Sequence, residues 1–284
     1  GREDNPTPNL DPPWATDDAC VRMPDTLAEC ADLVLRTADP AMKAALSHAA
    51  YAKFVASDGT MRVGVASPPN RPARPDRPEL VHPKDVPSPK TCPLGMSAAM
   101  IHNVAHIELN AIDLAWDTVA RFSALAADRG GDRGDGNLIN LPVDFFADFA
   151  RVADDESRHL GWCLQRLGEM GVRYGDIPAH NVLWEGAEST SDSITARLAV
   201  VPCMQEARGL DAGPRLAAKL QGRGDNRSAA VVSRISQEEI AHVAVGVAWF
   251  RHLCGDVLGG VDPGDAFRAH VGVHAPDSLR GPFT

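Results

Sequence analysis

No stretch of this 284-residue chain approaches the ~18 uninterrupted apolar residues of a membrane-spanning helix, so no span is expected. The six cysteines, at 20, 30, 92, 163, 203 and 254, form no C-x-x-C pair and no regular spacing. That argues against a zinc knuckle and a disulfide framework. Reduced thiols suit a reducing compartment, with the cytoplasm as the expectation and an organelle as the alternative. Positive charge is not in excess either. The balance is −10, which speaks against a broad grip on nucleic acid or on an anionic membrane and leaves room only for a local basic patch. The opening GREDNPTPNLDPP is polar and Pro-rich, unlike a signal peptide, and it has no initial Met, so the chain reads as trimmed.

What is present is helical pattern, interrupted once. Residues 1–24 read as an irregular lead-in. Residues 25–56 read as two helices, the first capped by Asp25, the second with Asp39 as N-cap and Pro40 at its first position. Between 68 and 90 there are eight prolines in 23 residues, a density that forbids helix interior and central strand. This segment, within a Pro-rich stretch 66–93, is expected to lie as an extended strap on the rest. Residues 1–93 therefore read as an N-terminal extension, and 94–284 as a bundle with a C-terminal tail.

Four long helical blocks follow. Block A spans about 94–129 and stops at GGDRGDG. Block B starts at Pro142 and stops at Gly171. After a connection of about 20 residues, block C runs from Ser191–Asp192 to Gly222, with a kink expected at Pro202 and a bend at Gly209, Gly213 and Pro214. Block D runs from about Arg227 to Cys254. Each block has an apolar stripe at helical spacing with a carboxylate inside it: Glu108, Glu156, Glu206 and Glu239. Charged carboxylates on core-facing stripes are costly unless paired, so either they hold protons or cations lie among them.

His159 and His242 each follow a stripe glutamate by three residues, on the same helix face. The order Glu, Glu-x-x-His, Glu, Glu-x-x-His is the ligand set of ferritin-like di-iron and di-manganese proteins. Glu108 and Glu156 lie at equal sequence distances from the turn near 132. Glu206 and Glu239 lie at similar distances from the turn near 224, so hairpins would bring each pair to one level. The predicted centre is therefore two iron ions, manganese being the alternative, held by Glu108, Glu156, His159, Glu206, Glu239 and His242. Helices with these residues on solvated faces would be the plain alternative.

Blocks A to D resemble the ferritin-like superfamily. More closely, HNVAHIELNAIDLAWD, FARVADDESRHLGWCLQRL, MQEARGLDAGP, EEIAHVAVGVAWF and the strap RPARPDRPELV resemble a branch catalogued only as a domain of unknown function. The resemblance implies an all-α, ferritin-like four-helix bundle with a long crossover between blocks B and C. Relatives in the superfamily include ferritins, monooxygenases, desaturases, an aldehyde-deformylating oxygenase and a tRNA hydroxylase, so the fold does not choose the chemistry. The expected function is an O2-activating oxidoreductase acting on a small molecule and drawing on a separate electron donor. A ferroxidase and a helical interaction protein are the alternatives, and a homodimer is left open. The chain ends at LRGPFT, where such relatives are expected to continue.

Around the site, Asp155 and Glu238 each precede a ligand glutamate and could orient a histidine across the bundle, or pair with Arg158 and Arg208 at the surface. His102, His106, Asn110, Asp113 and Asp117 form a second stripe on block A, read as a polar face or as core histidines bonded to backbone carbonyls. Cys163 and Cys203 read as small apolar filler. Arg71, Arg74 and Arg77 of the strap read as solvated, with an anion site as the alternative.

Overall fold

In this computed structural model, which describes residues 22–126, 139–257 and 259–276, the chain is an all-helical bundle. The lead-in before 22, the end of block A with its Gly-rich turn, and the C-terminal LRGPFT lie outside the described residues.

The first helix, α1 (Leu27–Leu35), is capped by Thr26 and not by Asp25: the Thr26 side chain accepts from the Glu29 amide. The amides of Leu27 and Ala28 are taken up by the carbonyls of Arg62 and Val63, so the chain returning from the next helix closes this end. That next helix, α2 (Pro40–Ala56), starts as expected, with the Asp39 carboxylate on the Met42 amide and Pro40 leading. Both helices pack against the bundle, and one hydrophobic core runs through them and the long helices. Ser47 of α2 accepts from the Trp116 indole N–H at 2.7 Å and donates to the Ala153 carbonyl at 3.0 Å, tying α2 to both long helices of the first hairpin.

That hairpin is α3 (Met96–Arg121) and α4 (Val143–Glu169). They run antiparallel, with Leu141 N–H bonded to the Leu125 carbonyl at one end and His102 beside Gly175 at the other. α3 ends at Arg121, short of the expected 129. Pro142 is the N-cap of α4, one place before the expected position. Gly171, at φ +71°, closes α4: its amide and that of Val172 bond back to Gly168 and Leu167, a geometry that suits glycine.

The crossover contains α5 (Val182–Ser189), unforeseen in the sequence, which packs on α3 through Trp184 and Leu114. Block C is α6 (Ile194–Val200), a π-helical segment Val201–Glu206, and α7 (Ala207–Gln221). Pro202, with no N–H to give, falls in the π segment, where the kink was expected. At Pro214, where a bend was expected, α7 stays helical on both sides. Pro214 is on the exposed side, so the carbonyl left without an amide can turn to water. α8 (Asn226–His252) returns antiparallel to block C, and its Gly246 lies so close to Pro202 that a Cβ there would fall 2.2 Å from the proline Cβ. The tail forms α9 (Pro263–His274), which packs on α6.

The Pro-rich strap lies on the bundle. Its Ala73 and Val81 amides bond to the Leu35 and Ala179 carbonyls, and its Pro69 carbonyl accepts from Arg121. Among the described residues, no helix is long and apolar enough to cross a membrane.

Candidate metal centre

α3, α4 and α8 bring Glu108, Glu156, His159 and Glu239 together in the bundle interior. One ligand atom from each lies within 4.8 Å of all the others, an arrangement that could hold a metal ion. Glu108, Glu156 and His159 are buried, and Glu239 is nearly so. His159 Nδ1 is 3.1 Å from Glu156 Oε2, 3.3 Å from Glu108 Oε2 and 3.5 Å from Glu239 Oε1. His242 falls outside that tight set of four but adjoins it. Its Nδ1 is 3.0 Å from Glu156 Oε1 and 3.4 Å from Glu239 Oε1. Glu156 and Glu239 thus lie between two imidazoles whose centroids are 5.7 Å apart. Glu206, at the end of the π segment, also stands outside the tight set; its carboxyl feels the charges of Glu239, Glu156 and His242.

Both Nδ1 atoms face the carboxylates, and both Nε2 atoms face outward to an acid on the opposite helix. His159 of α4 bonds Glu238 of α8 at 2.9 Å, and His242 of α8 bonds Asp155 of α4 at 3.3 Å. Arg158 joins the two supports, at 2.8 Å from Asp155 and 2.7 Å from Glu238, and lies over the Trp162 ring. Asp155, the residue before Glu156, and Glu238, the residue before Glu239, therefore each orient the histidine of the other helix. Such a bond fixes the ring and leaves Nδ1 available inward.

The electrostatics are strained. Burial, and the charge of Glu156, push the Glu108 carboxyl well above its ordinary range. Burial, with Glu239 and Glu156 beside it, pushes Glu206 up to about 8. Burial also works against ionised Glu156, but His242 and His159 outweigh it and hold that carboxyl low. Burial disfavours both imidazolium forms, yet the surrounding carboxylates raise His159 well above its usual value and His242 to about 12. Protons therefore take the place that cations would compete for. Four carboxylates with two imidazoles suit hard to borderline cations. Cys163, buried one turn from His159, has its thiol pushed well up by burial, which keeps it inert.

The second stripe of α3 is also buried, not a solvated face. His106 donates through Nε2 to the His180 carbonyl at 2.9 Å and accepts through Nδ1 from the Tyr174 hydroxyl at 2.8 Å. Burial lowers it to about 4. His102 accepts from the Gly175 amide. Asp113 holds Lys43 at 2.5 Å and Arg74 at 2.8 Å, and Asp117 holds Arg121 and Arg197 at 2.7 and 2.6 Å. Of the strap arginines, Arg74 is paired here and largely buried, whereas Arg71 stays solvated, in a surface pair with Glu188 at 3.1 Å. Periodicity alone could have marked this stripe as buried; its partners come from distant segments.

An "Uncharacterized protein" of Haemophilus influenzae is 35% identical over 226 residues, covering 78% of this chain and 75% of its own length. No solved structure matches the chain. A family profile matches residues 36–284, a span that takes in the strap, all four long blocks and every residue of the cluster. By that match the chain belongs to the family described as "Protein of unknown function (DUF455)".

Proposed function

We propose that this chain is a metal-dependent oxidoreductase that uses O2 to oxidise a small organic substrate. Its two cations, iron with manganese as the alternative, would be held in a ferritin-like ligand set by Glu108, Glu156, His159, Glu206, Glu239 and His242. The observation that carries this reading is the convergence of buried carboxylates, short of compensating charge, on two inward-facing Nδ1 atoms. Two divalent cations would balance four carboxylates and leave both imidazoles neutral.

Each residue has a part in the reading. Glu108, Glu156, Glu206 and Glu239 would supply the carboxylate oxygens, and His159 and His242 the nitrogens, that hold the cations. Glu238 and Asp155 keep the outward N–H of each ring bonded, so the lone pair stays on Nδ1. Ile101, Ala105, Ile112 and Leu160, fully buried, limit water at the cluster. Bound iron supplies the one-electron steps by which O2 is reduced. The electrons come from a separate donor.

The test is metal analysis of the purified protein after anaerobic Fe(II) loading, with Glu206→Ala in parallel. About two irons per chain are expected, lost in the variant with helix content retained. Metal content unchanged in Glu206→Ala would sink the ligand assignment. O2 uptake that ends when the iron is oxidised, with no substrate turned over under a steady reductant, would assign the centre to iron oxidation instead.

A further inference from the structure

α9 contributes nothing to the carboxylate cluster, yet it carries two of the chain's ten histidines on one face. His270 and His274 are four residues apart, the spacing that makes side chains neighbours on a helix surface. Their ring centroids are 6.4 Å apart with the planes at 34°. Both are half-buried, and His270 stands edge-on to Phe250 of α8 at 6.5 Å. Among the described residues, neither imidazole is engaged by a hydrogen bond or an ion pair. The helix beneath them is fixed by Ala266 and Val271, with Val271 packed on Val200 and Met204. Burial and the charge of His274 hold His270 below its ordinary value, so one of its ring nitrogens offers a lone pair at neutral pH.

We propose that His270 and His274 form a second cation site, a two-imidazole chelate for a borderline divalent ion such as Cu2+, Ni2+ or Zn2+, with water completing the coordination. Its donors are nitrogen only, so it selects a different class of ion from the carboxylate-rich cluster. Bringing two nitrogens to the ~2.0–2.1 Å of such bonds needs a rotation of half-exposed rings and no change of backbone. The helix pre-organises the pair, so the second nitrogen binds at a high effective concentration. A chain with net charge −10 also draws cations toward its surface. The pair lies on the helix packed behind the π segment that ends at Glu206, and the proposal stands whether or not the cluster is an oxidase centre.

The experiment is Cu2+ titration of the full chain, read by calorimetry and by nitrogen couplings in the EPR spectrum. His274→Gln is expected to remove one class of Cu2+ site or weaken it at least about tenfold, while iron content at the cluster and the melting temperature stay unchanged. A second variant, Gly272→His with His274→Gln, keeps the number of histidines but turns the two rings to different faces. A Cβ at Gly272 meets nothing within 4 Å, so this variant should fold, and it should show the same loss. Wild-type protein lacking that Cu2+ class, or either variant binding as wild type does, would overturn the proposal.

Discussion

α3 buries two polar stripes, and they solve the same problem in opposite ways. Along one, Asp113 and Asp117 each meet two cationic side chains, and His106 has a partner at both nitrogens. Along the other, Glu108 meets Glu156, Glu239 and a histidine that those carboxylates must share. The first stripe pairs its acids with bases of their own, leaving, among the described residues, only His102 Nδ1 without a partner, and clamps α2, the strap and α6 to the bundle. The second is short of positive charge. A buried acid with its own base is architecture; a group of buried acids without enough bases is a place for something that binds.

The comparison can be broken at several points. The largest effect is expected from Asp113→Ala, which leaves Lys43 buried without its counter-charge. Unfolding stability should fall by about 3–5 kcal/mol, measured by denaturant titration, with metal content unchanged. Loss of metal with little loss of stability would mean that the two stripes are not separate in role. A smaller effect is expected from Glu238→Gln, which keeps the shape but weakens the support of His159. Metal affinity should drop by about 10–100-fold, read by competition with a chelator, and stability should hardly move. Smallest is the pH effect. Glu206 gives up its proton at about 8, and a proton there competes with a cation, as do those on His159 and His242, so affinity should rise with pH through that range and keep rising above it. Affinity that is level between about pH 7 and 9 would remove Glu206 from that competition.

Much of the cluster was legible because its signal is local and repeated. Glu-x-x-His twice, inside apolar stripes on long helices, carries its own geometry. Even the support of each histidine by the acid beside the other helix's stripe glutamate could be raised as an option from Asp155 and Glu238. What escaped depended on distance or on shortness. The partners of the second α3 stripe, Lys43, Arg74, Tyr174 and Arg197, come from four separate segments, and no spacing in the sequence joins them. α5 is only eight residues long, too few for a period to show. α9 did carry a signal, Asp262 before Pro263, the same start that identified α2 at Asp39 and Pro40, and it went unread within the tail. At α1 both Asp25 and Thr26 can cap, and only the packing of the returning chain selects Thr26.

The π segment has a consequence in rotary phase. An α-helix turns about 100° per residue, and a π turn absorbs one residue more. Ala199 and Glu206 would share a face of a regular α-helix; across Val201–Glu206 they do not, and the extra residue sets where the carboxylate points. Deleting Cys203 should remove the absorbed residue and close the backbone to regular helix; six α residues turn through the same angle, so Glu206 should keep its direction relative to α6. Helix content would hold or rise and metal would be kept. Loss of metal on that deletion would mean that the π turn itself, and not only its phase, places the carboxylate.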